Sequence, residues 1–66
     1  MEFHELDVVT LADDIPEDGL KAGAIGTIVD VFHKPKTAYE VEFSADDGVT
    51  ITMATLTADQ IRPYSS

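Results

Sequence analysis

Gly23-Ala24-Ile25-Gly26-Thr27-Ile28-Val29-Asp30-Val31-Phe32 is the stretch that decides the fold. Two glycines lead into a β-branched run, which suits a pleated, packed surface better than a helix. Two alternating segments follow, Tyr39-Glu40-Val41-Glu42-Phe43 and Val49-Thr50-Ile51-Thr52-Met53, separated by Ser44-Ala45-Asp46-Asp47-Gly48. Asp47-Gly48 is a strong hairpin signal, so the three runs read as an antiparallel meander. In the first run, alternation puts Ile25, Thr27, Val29 and Val31 on one side and Ile28, Asp30 and Phe32 on the other. A strand that is apolar on nearly both faces is central or strongly bent, and small barrels close through such bends. Gly26 interrupts the pattern early, which predicts a bulge or a close backbone crossing. The second run is apolar inward (Tyr39, Val41, Phe43) and acidic outward (Glu40, Glu42). In the third, Val49, Ile51 and Met53 are expected inward, with Thr50 and Thr52 outward.

Before the meander, Asp7 opens Val8-Val9-Thr10-Leu11-Ala12, a strand by its β-branched content. Val9 and Leu11 should be buried, with Phe3 or Leu6 folding over the end. Asp13 to Gly23 is a long ordered connection, because Pro16, Gly19 and Gly23 interrupt every helical window. Its only large apolar residues, Ile15 and Leu20, are expected to tuck back onto the barrel. Between the first two strands of the meander, His33-Lys34-Pro35-Lys36-Thr37 forms a basic turn. After the meander, Thr57-Ala58-Asp59-Gln60 has the capping-box form. Pro63 follows so soon that only one 3-10 turn fits. Ile61-Arg62 then reads as a short closing strand, and Tyr64-Ser65-Ser66 as a frayed end.

Sixty-six residues fill one core, so residues 1–66 are read as a single domain. An apolar fraction of 44 % argues against disorder. The absence of cysteine removes disulfides, thiolate nucleophiles and thiolate metal sites. No apolar run approaches the roughly 18 residues of a membrane span. Met1-Glu2-Phe3-His4-Glu5 has no signal-peptide character, and a cytoplasmic protein is expected. Thirteen acidic residues against four basic ones give a net charge of −9. Such a surface repels nucleic-acid phosphates and anionic membranes. It leaves two readings open: acidity that keeps a small protein soluble, or charge that steers in a basic protein partner.

Five short strands, a long first loop and a one-turn helix before the last strand form the parts list of a small five-stranded SH3-like barrel, an all-β fold. The wording is more specific. Leu6-Asp7-Val8-Val9, Ile15-Pro16-Glu17-Asp18-Gly19-Leu20-Lys21, Gly23-Ala24-Ile25-Gly26-Thr27-Ile28-Val29, Tyr39-Glu40-Val41-Glu42-Phe43, Asp47-Gly48 and Leu56-Thr57-Ala58-Asp59-Gln60-Ile61-Arg62-Pro63 together resemble a family of short bacterial proteins, domain of unknown function 4926. The resemblance covers nearly the whole chain. It implies an SH3-like fold and no particular activity, and the family's members look like neighbours of toxin–antitoxin style genes. Fold alone bears on function only by analogy.

Each motif has a bland reading beside its sharper one. Gly23-x-x-Gly26 resembles the KOW-type strand of RNA-binding SH3-like domains, but those bind through basic loops. Here only Lys34 and Lys36 stand in the turn, so nucleic acid is not expected as a partner. SH3 domains that read proline helices set a row of aromatics beside an acidic loop. This chain has acidic Asp13, Asp14, Glu17 and Asp18 but no Trp, and Tyr39 and Phe43 are committed to the core. The loop is either solvated or receives Arg and Lys from a partner. Asp46-Asp47-Gly48 has too few ligands for calcium and reads as a turn. His4 and His33 lack zinc-ligand spacing. Glu40 and Glu42 face the same way, but a glycosidase-like pair needs a deep cleft. They read as surface residues.

No nucleophile–base constellation stands out, so an enzyme is not expected, nor is a cofactor or metal. The favoured reading is a non-catalytic acidic module that binds a basic protein, as an antitoxin or immunity-like inhibitor or an accessory subunit. Asp13, Asp14, Glu17, Asp18, Glu40 and Glu42 are its candidate partner-binding residues. The alternative is a small barrel that self-associates, a homodimer for example, through its sheet edges.

Overall fold

In the computed structural model, which describes residues 2–45 and 47–64, the β-branched and aromatic runs form five strands. These are β1 (Val8–Leu11), β2 (Ile25–Phe32), β3 (Ala38–Ser44), β4 (Ile51–Leu56) and β5 (Ile61–Pro63), with 3-10 turns at Pro16–Asp18 and Ala58–Gln60. Every neighbouring pair is antiparallel, and the five strands lie in one sheet in the order β4-β3-β2-β1-β5. A long first loop, a β2-β3-β4 meander and a 3-10 turn before the last strand make this the SH3-like arrangement expected from the sequence. No ladder joins β4 to β5, so hydrogen bonds do not close the barrel.

The core collects one face of each strand. Val9 and Leu11 come from β1, Ile28 from β2, Tyr39, Val41 and Phe43 from β3, and Ala54, Leu56 and Ile61 from the last two strands. Phe3 folds over the end as its ring meets Tyr39 edge-on, with centroids 5.6 Å apart. Its amide donates to the Tyr39 hydroxyl at 3.3 Å. An aromatic pair of this kind adds about 0.5–1.5 kcal/mol beyond the area it buries. Leu6, the other candidate for this place, is exposed and holds a left-handed backbone at φ 74°.

β2 does the bending. Its register with β3 runs Gly26↔Phe43, Thr27↔Glu42 and Ile28↔Val41, then slips so that Asp30 faces Glu40. Val29 is the extra residue, a β-bulge that inverts the alternation along the strand. Gly26 and Ile28 therefore point inward before the bulge, and Val31 packs on the core after it. This corrects the expectation that Ile28, Asp30 and Phe32 share one side: Ile28 is buried, whereas Asp30 and Phe32 are exposed. Gly26 itself takes neither predicted role: the bulge lies at Val29, and what crowds the glycine is the side chains of Val41 and Phe43, not a backbone crossing.

The orientation of β4 is a second correction. Val49, Ile51 and Met53 were expected inward, yet all three are exposed, and Ala54 and Leu56 are buried. The cause is the register set by the preceding turn. Phe43, Val41 and Tyr39 pair with Thr52, Ala54 and Leu56. Residues directly opposite each other share a face, so these three must point inward with their partners.

The connections on either side of β4 behave as read. At the hairpin, Asp47 Oδ1 accepts from the amides of Val49 and Thr50, each at 2.9 Å. Gly48 takes the left-handed conformation there, at φ 71°. Asp46 and the two terminal serines lie outside the described residues. At the final turn, the Thr57 amide donates to Gln60 Oε1 at 2.9 Å, the reach-back expected of a capping box. The Thr57 hydroxyl donates to Asp59 Oδ1.

Candidate interaction surface

The loop between β1 and β2 is a small structure of its own. At its base, Gly23 donates to the Leu11 carbonyl at 2.8 Å, and Leu11 donates to that of Ala24 at 2.8 Å. Further out, Ile15 and Leu20 form an isolated antiparallel bridge whose amides donate to each other's carbonyls at 2.8 and 3.1 Å. The 3-10 turn Pro16–Asp18 closes this miniature hairpin, and Gly19 ends it in a left-handed conformation at φ 70°. Leu20 is buried in the core and Ile15 packs partly against it, as the sequence led one to expect. Two apolar anchors and two pairs of backbone bonds hold the loop against the barrel.

Its four acidic residues divide by role. Asp14 Oδ1 accepts from the Ala22 amide at 2.8 Å, so this carboxylate braces the loop from within. Asp13, Glu17 and Asp18 are exposed and make no such bond among the described residues. The sole contact of ion-pair length among the described residues is His4 Nδ1 to Asp7 Oδ2, at 3.8 Å and well away from the loop. Lys21, in the same loop, is exposed and pairs with none of the four.

Glu40 and Glu42 occupy the outer face of β3, where both are half-buried. Glu40 Oε1 accepts from the Thr55 hydroxyl across β4, and Glu42 stands opposite Met53. The bulge in β2 adds a third carboxylate to this face. Asp30 pairs directly with Glu40, like charge against like. Nothing in a regular alternation of β2 selects Asp30; only the position of the bulge does. The candidate residues thus form two groups on different parts of the chain: a loop tip (Asp13, Glu17, Asp18) and a sheet face (Asp30, Glu40, Glu42).

The fold shifts the ionisation of Asp47. The backbone amides of Thr50 and Val49, and then the Thr50 hydroxyl, hold its carboxyl below the ordinary 3.8. These bonds serve the turn. Among the described residues, no three His, Cys, Asp or Glu side chains converge as a metal site, and no helix is long and apolar enough to cross a membrane.

No curated protein and no solved structure matches the chain. One family model does, over residues 5–63, from the turn before β1 to the last residue of β5. By that match, the chain belongs to the family described as domain of unknown function (DUF4926).

Proposed function

We propose that this chain is a non-catalytic, cytoplasmic protein-binding module that docks on a more basic protein through its acidic loop. An antitoxin or immunity-like inhibitor and a small accessory subunit are both roles of this kind. One observation carries the reading: Asp13, Glu17 and Asp18 stand exposed and, among the described residues, without a paired cation on a loop fastened to the barrel by the Ile15–Leu20 bridge. Side chains on a preordered loop lose less entropy on binding than those on a slack one. Unpaired carboxylates attract Lys and Arg over a distance and raise the rate of encounter. Glu40, Glu42 and Asp30 on the sheet face extend the negative field. The net charge of −9 also disfavours nucleic acid as the partner.

The experiment is to immobilise the chain, recover its partner from the native cell, and measure binding of the purified partner to wild type and to a variant with Asp13→Lys, Glu17→Lys and Asp18→Lys. A basic partner that the variant no longer holds supports the reading. Equal binding to both chains counts against it.

A further inference from the structure

We propose that β4 is the docking edge for an extended, basic segment of another protein, which adds to the sheet as a further strand and sets arginine or lysine against Glu40 and Glu42. The two edges of the sheet differ sharply. β5 is short and contains Arg62 and Pro63, devices that discourage another strand from adding. β4 has neither. Ile51-Thr52-Met53-Ala54-Thr55-Leu56 carries no charge and no proline, and it pairs with β3 without a bulge from Ile51 to Leu56. The edge uses none of the loop carboxylates, so this inference does not rest on docking through the acidic loop.

The backbone of β4 is set out for pairing. The Ala45 amide donates to the Thr50 carbonyl at 2.9 Å, so Ser44↔Ile51, the next pair in the register, is a non-hydrogen-bonded one. Alternation then turns the backbone groups of Thr52, Ala54 and Leu56 toward β3, and those of Ile51, Met53 and Thr55 toward the open side. Among the described residues, no strand lies on that side of β4. An added strand supplies the missing partners, as extended peptides do at other sheet edges.

Charge selects the occupant. Glu40 and Glu42 face outward on β3, opposite Thr55 and Met53 of the edge. Glu40 Oε1 accepts from the Thr55 hydroxyl, which draws its carboxylate over β4, about 4.8 Å from the line an added strand takes. Asp30 stands on the other side of Glu40, and among the described residues no cation lies within ion-pair distance of these three carboxylates. A strand from another acidic chain sets like charge against them. A neutral strand covers part of them without replacing the water it displaces. A strand with arginine or lysine at alternate positions on the outer face supplies the absent charge. The residue opposite Thr55 meets Glu40. The residue opposite Met53 lays its aliphatic stem on that side chain, which is 45 % exposed, and turns its charged head toward Glu42. Between them, the residue opposite buried Ala54 points to the core side, so the fitting pattern is basic–apolar–basic.

The test titrates the purified full chain with a synthetic peptide of alternating arginine and valine, beside threonine–valine and glutamate–valine counterparts, and follows amide hydrogen exchange residue by residue. At saturation the arginine peptide should slow exchange at Ile51, Met53 and Thr55 by roughly tenfold or more, and its affinity should fall as salt rises. Glu40→Gln combined with Glu42→Gln should weaken binding by about tenfold and flatten that salt dependence. Met53→Pro, which removes an outward amide but no bond to β3, should weaken it by roughly fivefold; the glutamine pair serves if the proline variant does not fold. The variant with Asp13→Lys, Glu17→Lys and Asp18→Lys should keep the protection on β4, whatever becomes of docking through the loop. Binding that leaves those three amides unprotected overturns the proposal, as does protection that the loop variant abolishes. So does equal protection by the neutral or acidic peptide, or protection that grows with protein concentration alone, the mark of a second copy on the edge.

Discussion

Gly26 lies against Phe43 so closely that a β-carbon on the glycine would stand 2.8 Å from Phe43 Cε1, and 2.6 Å from Val41 Cγ1. The glycine is there for space, since its neighbours on β3 fill the core where a side chain would go. Gly26→Ala should therefore destabilise the protein by about 1–3 kcal/mol through overpacking, as read by denaturant unfolding. A Val41→Ala background removes the closer of the two clashes and leaves the one with Phe43, so part of that cost should vanish. Strict additivity of the two changes would contradict the steric cause.

Phe3 and Tyr39 tie the N-terminal segment to the core by an edge-on ring contact and one hydrogen bond. Tyr39→Phe keeps the rings and deletes only the acceptor, so a loss of about 0.5–1.5 kcal/mol is expected. Phe3→Ala removes a buried ring and should cost about 3–5 kcal/mol. Chemical denaturation of both variants checks the order.

The hairpin at Asp47 gives a pH signature. Because folding lowers this carboxyl's pKa, its contribution is complete above the ordinary value of 3.8 and is lost as pH falls through the lower folded value. Asp47→Asn retains an oxygen that the Val49 and Thr50 amides can use, but carries no charge. Wild type should melt above the variant at neutral pH, with the gap closing as pH falls below 3.8. A gap that stays constant contradicts the assignment.

The loop carboxylates should separate by role. Asp14→Ala removes the acceptor of the Ala22 amide and should lower stability by about 0.5–1.5 kcal/mol. Asp13→Asn, Glu17→Gln and Asp18→Asn touch no such bond, and each should stay within about 0.5 kcal/mol of wild type. Thermal melts of the four single variants distinguish a bracing carboxylate from free ones.

Much of the fold is legible in the chain because β3 alternates without interruption. Tyr39, Val41 and Phe43 point inward as their spacing demands, and the Gly-x-x-Gly run supplies a bent partner strand. What alternation cannot supply is phase. On β4, Ile51 and Met53 are the larger apolar residues, and period alone puts them inside. The loop between Ala45 and Thr50 fixes the opposite phase by setting Thr52, Ala54 and Leu56 across from the core residues of β3. Likewise, the bulge at Val29 leaves no compositional mark, yet it turns Asp30 out beside Glu40. The acidic loop could be read from composition, but the separate bracing role of Asp14 could not, because it depends on where Ala22 comes to lie.

The most direct test of the docking proposal is the association rate of the purified basic partner, followed by stopped flow as ionic strength rises. For wild type the rate should fall by about tenfold or more between low and physiological salt. For the variant with Asp13→Lys, Glu17→Lys and Asp18→Lys it should start lower and respond far less. An association rate indifferent both to salt and to those three reversals contradicts docking through the acidic loop.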